Sequence, residues 1–166
     1  GGTKVKTFKS NRDEIISNKI PERCGLSRES AVYYIVGAPA SGKSMLMESM
    51  MQKQLKRAFH DVFLFCPRSS RGGYTKSYSK QMNPAKVFEE LTLDNLQSVK
   101  DSTDEANGDK NEDPHFTCMI VDDCASDLRN KHVQKLLLKM IQNHRHHRLT
   151  IFIVAQNYQS LHKTLR

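Results

Sequence analysis

At 166 residues, with 37% apolar residues and a mean hydropathy of −0.62, the chain is long enough to bury one core without disulfide or metal staples. No apolar run approaches the roughly 20 residues that cross a bilayer, so a single domain without a membrane anchor is expected. The net charge is +8, yet residues 101–113 hold six acids against Lys110 alone, which leaves the remainder at +13. Such an excess favours a polyanionic partner, nucleic acid above all.

Gly1-Gly2 open the chain without an initiator Met or a signal core, as expected of a cut inside a longer protein or an expression remnant. Residues 3–30 mix Lys, Arg and Ser around Ile15-Ile16, with Pro21 and Gly25 as breakers, and read as a basic N-terminal arm, at most one helical turn followed by loop. A P-loop domain is expected over 31–166. It opens on the apolar run 31–36, a strand that feeds Gly37-Ala38-Pro39-Ala40-Ser41-Gly42-Lys43-Ser44. These eight residues satisfy G-x-x-x-x-G-K-[ST], in which backbone N–H groups and the positive end of the following helix cradle a nucleotide's phosphates. Lys43 would reach the β- and γ-phosphates and Ser44 the Mg²⁺ of bound ATP. Apolar residues at Met47, Met51, Leu55, Ala58 and Phe59 place one stripe of a 43–59 helix against a sheet.

The continuous run 62–66, ended by Pro67, fits a strand buried on both faces of a parallel sheet. Residues 68–80 then carry Arg68, Arg71, Lys76 and Lys80 with Tyr74 and Tyr78 and no acid, a pattern suited to phosphate contact and base stacking at the carboxyl end of a strand. Two short helices are predicted at 84–90 and 93–99, and the acidic run 101–113 reads as an exposed, disordered insertion. The apolar strand 116–121 ends in Asp122-Asp123. Paired acids at a strand end downstream of a phosphate loop match a Walker B element, with Asp122 on the Mg²⁺ and Asp123 as general base for the attacking water. Asn130 can cap a helix over 131–142, and a last strand, 150–155, carries Gln156 at its carboxyl end, where it could sense the γ-phosphate or orient water.

The four cysteines, Cys24, Cys66, Cys118 and Cys124, lack ligand spacing, which fits free thiols in a reducing, intracellular setting. His144-Arg145-His146-His147 reads as a solvated basic turn rather than a metal site. Arg145 and Arg148 precede the last strand and should lie on the edge opposite to their own nucleotide, within reach of DNA or a neighbouring subunit. Arg166, about ten residues beyond Gln156, is the first choice for an arginine acting in trans on a neighbour's γ-phosphate, a contribution worth about 10³–10⁵ in rate.

The phosphate loop, the strand ending Asp122-Asp123, the Asn143-His144-Arg145-His146 turn, the strand ending Ala155-Gln156 and the Leu165-Arg166 end together resemble the genome-packaging ATPases of nucleocytoplasmic large DNA viruses, typified by the poxvirus enzyme, within the FtsK–HerA superfamily. The resemblance spans about 32–166. It implies an α/β fold of the ASCE, RecA-like P-loop class, a mainly parallel sheet flanked by helices. It also implies Asp123 as the catalytic acidic residue, Gln156 as sensor, and an arginine finger in a homo-oligomeric ring that pumps double-stranded DNA into a preformed capsid. The partners then expected are double-stranded DNA and a capsid or membrane-associated virion protein, and the setting is the cytoplasm of the infected cell, in virus factories, or the virion. Two departures stand out. Many superfamily members carry Glu at the position of Asp123, and the superfamily core usually continues with a further strand after the arginine, so a truncated core is expected. A helicase-like or DNA-transfer ATPase of the same class, or a non-catalytic, ATP-gated DNA-binding scaffold, remains the alternative.

Overall fold

The structure, a computed structural model, describes residues 6–9, 30–37, 42–50, 58–70, 82–108 and 113–156. In chain order the elements are β1 (Lys6–Lys9), β2 (Val32–Val36), α1 (Lys43–Met50), β3 (Asp61–Phe65), β4 (Val87–Phe88), α2 (Leu93–Ala106), β5 (Thr117–Asp122), α3 (Lys131–Gln142) and β6 (Leu149–Ala155). They build one sheet of order β1-β2-β6-β5-β3-β4. β1 runs antiparallel to β2, and every other neighbouring pair is parallel. A parallel pair needs a crossover, and α1 and α3 supply those from β2 to β3 and from β5 to β6.

The inner parallel strands β3, β5 and β6 are largely apolar because both faces are covered. Alternate residues divide between two cores. Tyr33, Ile35, Leu64, Ile120, Phe152 and Val154 face the side of Met47 on α1. Val32, Phe65, Met119, Val121, Ile151 and Ile153 face Leu96 and Val99 of α2 and the apolar stripe of α3. That stripe, Val133, Leu136, Leu137 and Met140, is buried, and at about 1.5–3 kcal/mol per large side chain it contributes on the order of 6–12 kcal/mol to holding α3 on the sheet. Asn130 caps the helix as its sequence suggests, accepting from the N–H groups of His132 and Val133 at 2.9 and 3.3 Å.

Three local expectations are corrected. Lys6–Lys9, expected as irregular arm, adds a strand to the sheet edge through register pairs Lys6↔Val36 to Lys9↔Tyr33. No helix forms at 84–90: Pro84–Lys86 is a single 3-10 turn capped by Asn83, and Val87–Phe88 pairs with β3, where Phe88 stacks on Phe65 at 4.7 Å. An aromatic and a β-branched residue beside an existing strand end gain more from pairing than from one helical turn. The acidic run is not loop over its first half, since α2 continues to Ala106. Leu96, Val99 and Thr103 keep its buried stripe going, and Lys100 pairs with Asp104 one turn on at 2.7 Å, so charge does not prevent helix where one face is covered. Residues 109–112 and the centre of the expected 43–59 helix, 51–57, lie outside the described residues.

Candidate nucleotide-binding site

Parallel pairing brings the carboxyl ends of β2, β6, β5 and β3 to one edge, with Val36 opposite Ala155, Asp122 opposite Val154 and Phe65 opposite Val121. The N–H of Gly37 donates to the Ala155 carbonyl at 3.1 Å, which ties the start of the phosphate loop to the end of β6. Gly42 has φ 86°, a left-handed conformation open to glycine without steric cost. Its carbonyl accepts the N–H of Leu46 at 2.9 Å, so the loop turns directly into α1 and Lys43 and Ser44 occupy the first turn, where backbone N–H groups lack helical partners. Lys43 is 8% exposed, and Met47, one turn later, is fully buried in the core. Ala38, Pro39, Ala40 and Ser41 lie outside the described residues.

Two strands away, about 10 Å at the usual spacing, Asp122 closes β5 at 1% exposure. Asp123 follows with φ 56°, a region that Asp enters more readily than most residues, and its N–H donates to the Val154 carbonyl at 3.2 Å. The chain thus leaves β5 sharply, and the Asp123 side chain is half-buried. One of its oxygens, Oδ2, accepts a hydrogen bond from the Ser70 hydroxyl. Between the phosphate loop and the paired acids, at the end of β6, stands Gln156, exposed. Cys124 behind the pair packs its Sγ 3.7 Å from the Phe65 carbonyl; burial, with Asp127 and the neighbouring acids adding to it, pushes its thiol up, so it serves as a small hydrophobe and not as a nucleophile.

Ser70 is the residue that sequence reasoning missed. It sits in the basic stretch that was read for phosphate contact, and only the adjacency of β3 to β5 brings it to Asp123. Of the same stretch, Arg68 is exposed and paired with Glu89 at 2.6 Å, while Arg71 and Lys76 lie outside the described residues, as does Arg166.

The opposite edge collects the residues that precede the strands. Arg148 has φ 49° and donates to Asn107 Oδ1 at 2.6 Å, and Arg145 lies in the same turn. Here the histidine cluster departs from the solvated turn expected of it, because His144 and His147 are buried. Ser30 Oγ stands 2.7 Å from His144 Nδ1 and 2.8 Å from the Leu149 carbonyl, two contacts that one hydroxyl satisfies by accepting from the ring and donating to the carbonyl. His147 Nδ1 lies 2.8 Å from Asp104.

No three His, Cys, Asp or Glu side chains gather into a metal cage among the described residues. Mg²⁺ needs no such cage, being held by one or two carboxylates together with substrate phosphates. The Asp122 carboxylate, buried at the strand edge to which β2 delivers Gly37, has the hard oxygen donors such an ion takes. Cys66, Cys118 and Cys124 are free thiols, and no helix of the described residues is long and apolar enough to cross a membrane.

The fold resembles the cytoplasmic domain of the Type VII secretion ATPase EccC of Thermomonospora curvata, with a TM-score of 0.56 at 14% identity, over 83% of this chain and 19% of that one. The chain therefore spans about a fifth of that protein's length, and the likeness establishes a shared P-loop ATPase fold. No curated protein sequence matches significantly. A sequence-family model described as Poxvirus A32 protein matches residues 22–166, nearly the whole chain with all the motifs above, and the chain belongs to that family, the poxvirus packaging ATPases.

Proposed function

We propose that this chain is a Mg²⁺-dependent ATPase that moves double-stranded DNA, working as a homo-oligomeric ring to drive viral DNA into a preformed capsid in the infected cell's cytoplasm. One observation carries the reading: a buried cation and a buried carboxylate, Lys43 and Asp122, share the carboxyl edge of the sheet with Asp123 and Gln156. A cation, two carboxylates and an amide gathered at one strand edge are the groups that a nucleotide's phosphates and their Mg²⁺ call for.

In this reading the N–H groups of the loop and first turn bind the phosphates, and the Lys43 ammonium neutralises charge on the β- and γ-oxygens. The carboxylates would hold Mg²⁺ through Asp122, with Ser44, and the ion would polarise the phosphoryl group. Asp123 accepts the proton of the attacking water, and Gln156, from the strand between, orients that water. A guanidinium donated by a neighbouring subunit, for which Arg166 is the candidate, would complete the stabilisation of developing charge. The basic excess of the chain supplies phosphate contacts without a base-reading helix, so DNA binding should be independent of sequence and steeply weakened by salt.

The test is ATP turnover with and without blunt duplex DNA. Stimulation by blunt duplex, which offers no single-stranded end or fork, supports the packaging motor. Stimulation confined to forked or single-stranded DNA favours a helicase-like enzyme, and nucleotide binding without turnover in either condition identifies an ATP-gated scaffold.

A further inference from the structure

We infer that Ser70 is a positioning residue for Asp123, holding one carboxylate oxygen so that the other stays aimed at the attacking water; this deepens, and rests on, the reading of Asp123 as general base. The contact joins residues 53 apart in sequence and follows from strand order. β3 lies beside β5, with Phe65 opposite Val121, so the turn that leaves β3 stands next to the turn that leaves β5.

Both turns are anchored independently of the contact. On the β3 side, the Ser70 N–H donates to the Pro67 carbonyl and the Cys66 N–H to the Phe88 carbonyl, each at 2.9 Å, while Arg68 Nε holds Glu89 at 2.9 Å. On the β5 side, φ 56° at Asp123 sets the direction of its side chain, and its N–H is tied to Val154 on β6 at 3.2 Å. Asp123 is thus fixed through its backbone from β6 and through its carboxylate from β3. The hydroxyl takes Oδ2 and leaves Oδ1 for the water. A neutral donor limits rotation of the carboxylate without adding a counter-charge to it. An aspartate lacks the extra methylene with which a glutamate can adjust its reach, so orientation counts for more here, and misplacement of a reacting group by about 1 Å can cost 10²-fold in rate.

The experiment compares steady-state ATP hydrolysis, the affinity for a fluorescent ATP analogue, and thermal unfolding for the chain and its variants. Ser70→Ala should lower kcat by about ten- to a hundredfold while KM, analogue affinity and Tm stay unchanged, and Ser70→Thr, which keeps the hydroxyl, should recover most of the loss. In an Asp123→Asn background, Ser70→Ala should change the residual single-turnover rate by less than about twofold, since the two act as a unit. An unaltered kcat in Ser70→Ala overturns the assignment, as does a loss matched by weaker analogue binding or lower Tm, or one that persists undiminished beside Asp123→Asn. If the unaltered chain shows no hydrolysis at all, the general-base reading fails first and takes this one with it, a result that involves no Ser70 variant and so is told apart from failure of Ser70 alone.

Discussion

The two edges of the sheet gather polar residues of different kinds. At the carboxyl edge, Lys43 and Asp122 are buried charges beside a phosphate loop, and Gly42 and Asp123 adopt left-handed backbone to present them. At the amino edge, polar and charged groups are matched within the fold: Asp61 with Lys86 and His115, Asp104 with Lys100 and His147, Arg148 with Asn107, and Ser30 with His144 and Leu149. In the proposed reading the residues of the carboxyl edge serve turnover, while the pairs closed across the amino edge serve stability. Substitutions at the two edges should therefore separate activity from folding.

The largest separation is expected at the carboxyl edge. Lys43→Ala should reduce turnover by at least about a hundredfold, the scale of losing one preorganised charge stabiliser, with Tm unchanged or raised because a buried ammonium is removed. Turnover near the unaltered rate would overturn the phosphate-loop assignment. Mixing Lys43→Ala subunits, which keep Arg166, with Arg166→Ala subunits, which keep the phosphate loop, sharpens the same test: activity returning in mixed oligomers marks the arginine as acting in trans.

At the amino edge the expected effect is smaller and falls on stability. Burial would raise the Asp61 carboxyl, but hydrogen bonds from Lys86 and His115, with their charge, outweigh it and hold it below its ordinary value. A carboxyl lowered in the folded state contributes its full stability above its unfolded value of about 3.9 and loses it as pH falls through the lowered folded value. Asp61→Asn should thus cost roughly 1–3 kcal/mol at pH 7 with kcat for ATP unchanged, and urea unfolding should show the gap between the two proteins closing in acid. A constant gap down to acid pH would mean that packing, not charge, holds this corner.

Asn107→Ala should give the smallest change, about 1 kcal/mol. The Asn107 amide donates to Thr103 at 3.0 Å and accepts from Arg148 at 2.6 Å and from the His115 N–H at 3.2 Å, but the site is open enough for water to replace those partners. Lost turnover without lost stability would break the division between the edges.

Several features were legible because they are contiguous. The strand before residues 37–44 and the helix after them follow from the spacing of that motif, and the runs that become β3, β5 and β6 are almost wholly apolar because both faces of a parallel sheet are dry. The stripe of α3 and its Asn130 cap are likewise local signals. Where the expectation failed, a neighbour changed the balance. Val87–Phe88 takes strand form from β3, Lys6–Lys9 from β2, and the acidic end of α2 stays helical because Val99 and Thr103 are buried beneath it.

Strand order was decided only by tertiary structure. A strand that is apolar on both faces carries no mark of which strand it will pair with, so nothing local announces that β6 inserts between β2 and β5. That insertion sets Gln156 between the phosphate loop and the paired acids, and the adjacency of β3 to β5 brings Ser70 to Asp123. The Ser30–His144 bond, across 114 residues, depends on the same order. These contacts join groups whose separation in the chain is set by crossover helices rather than by side-chain pattern, and so the candidate residues could be named one by one while their arrangement had to come from the fold.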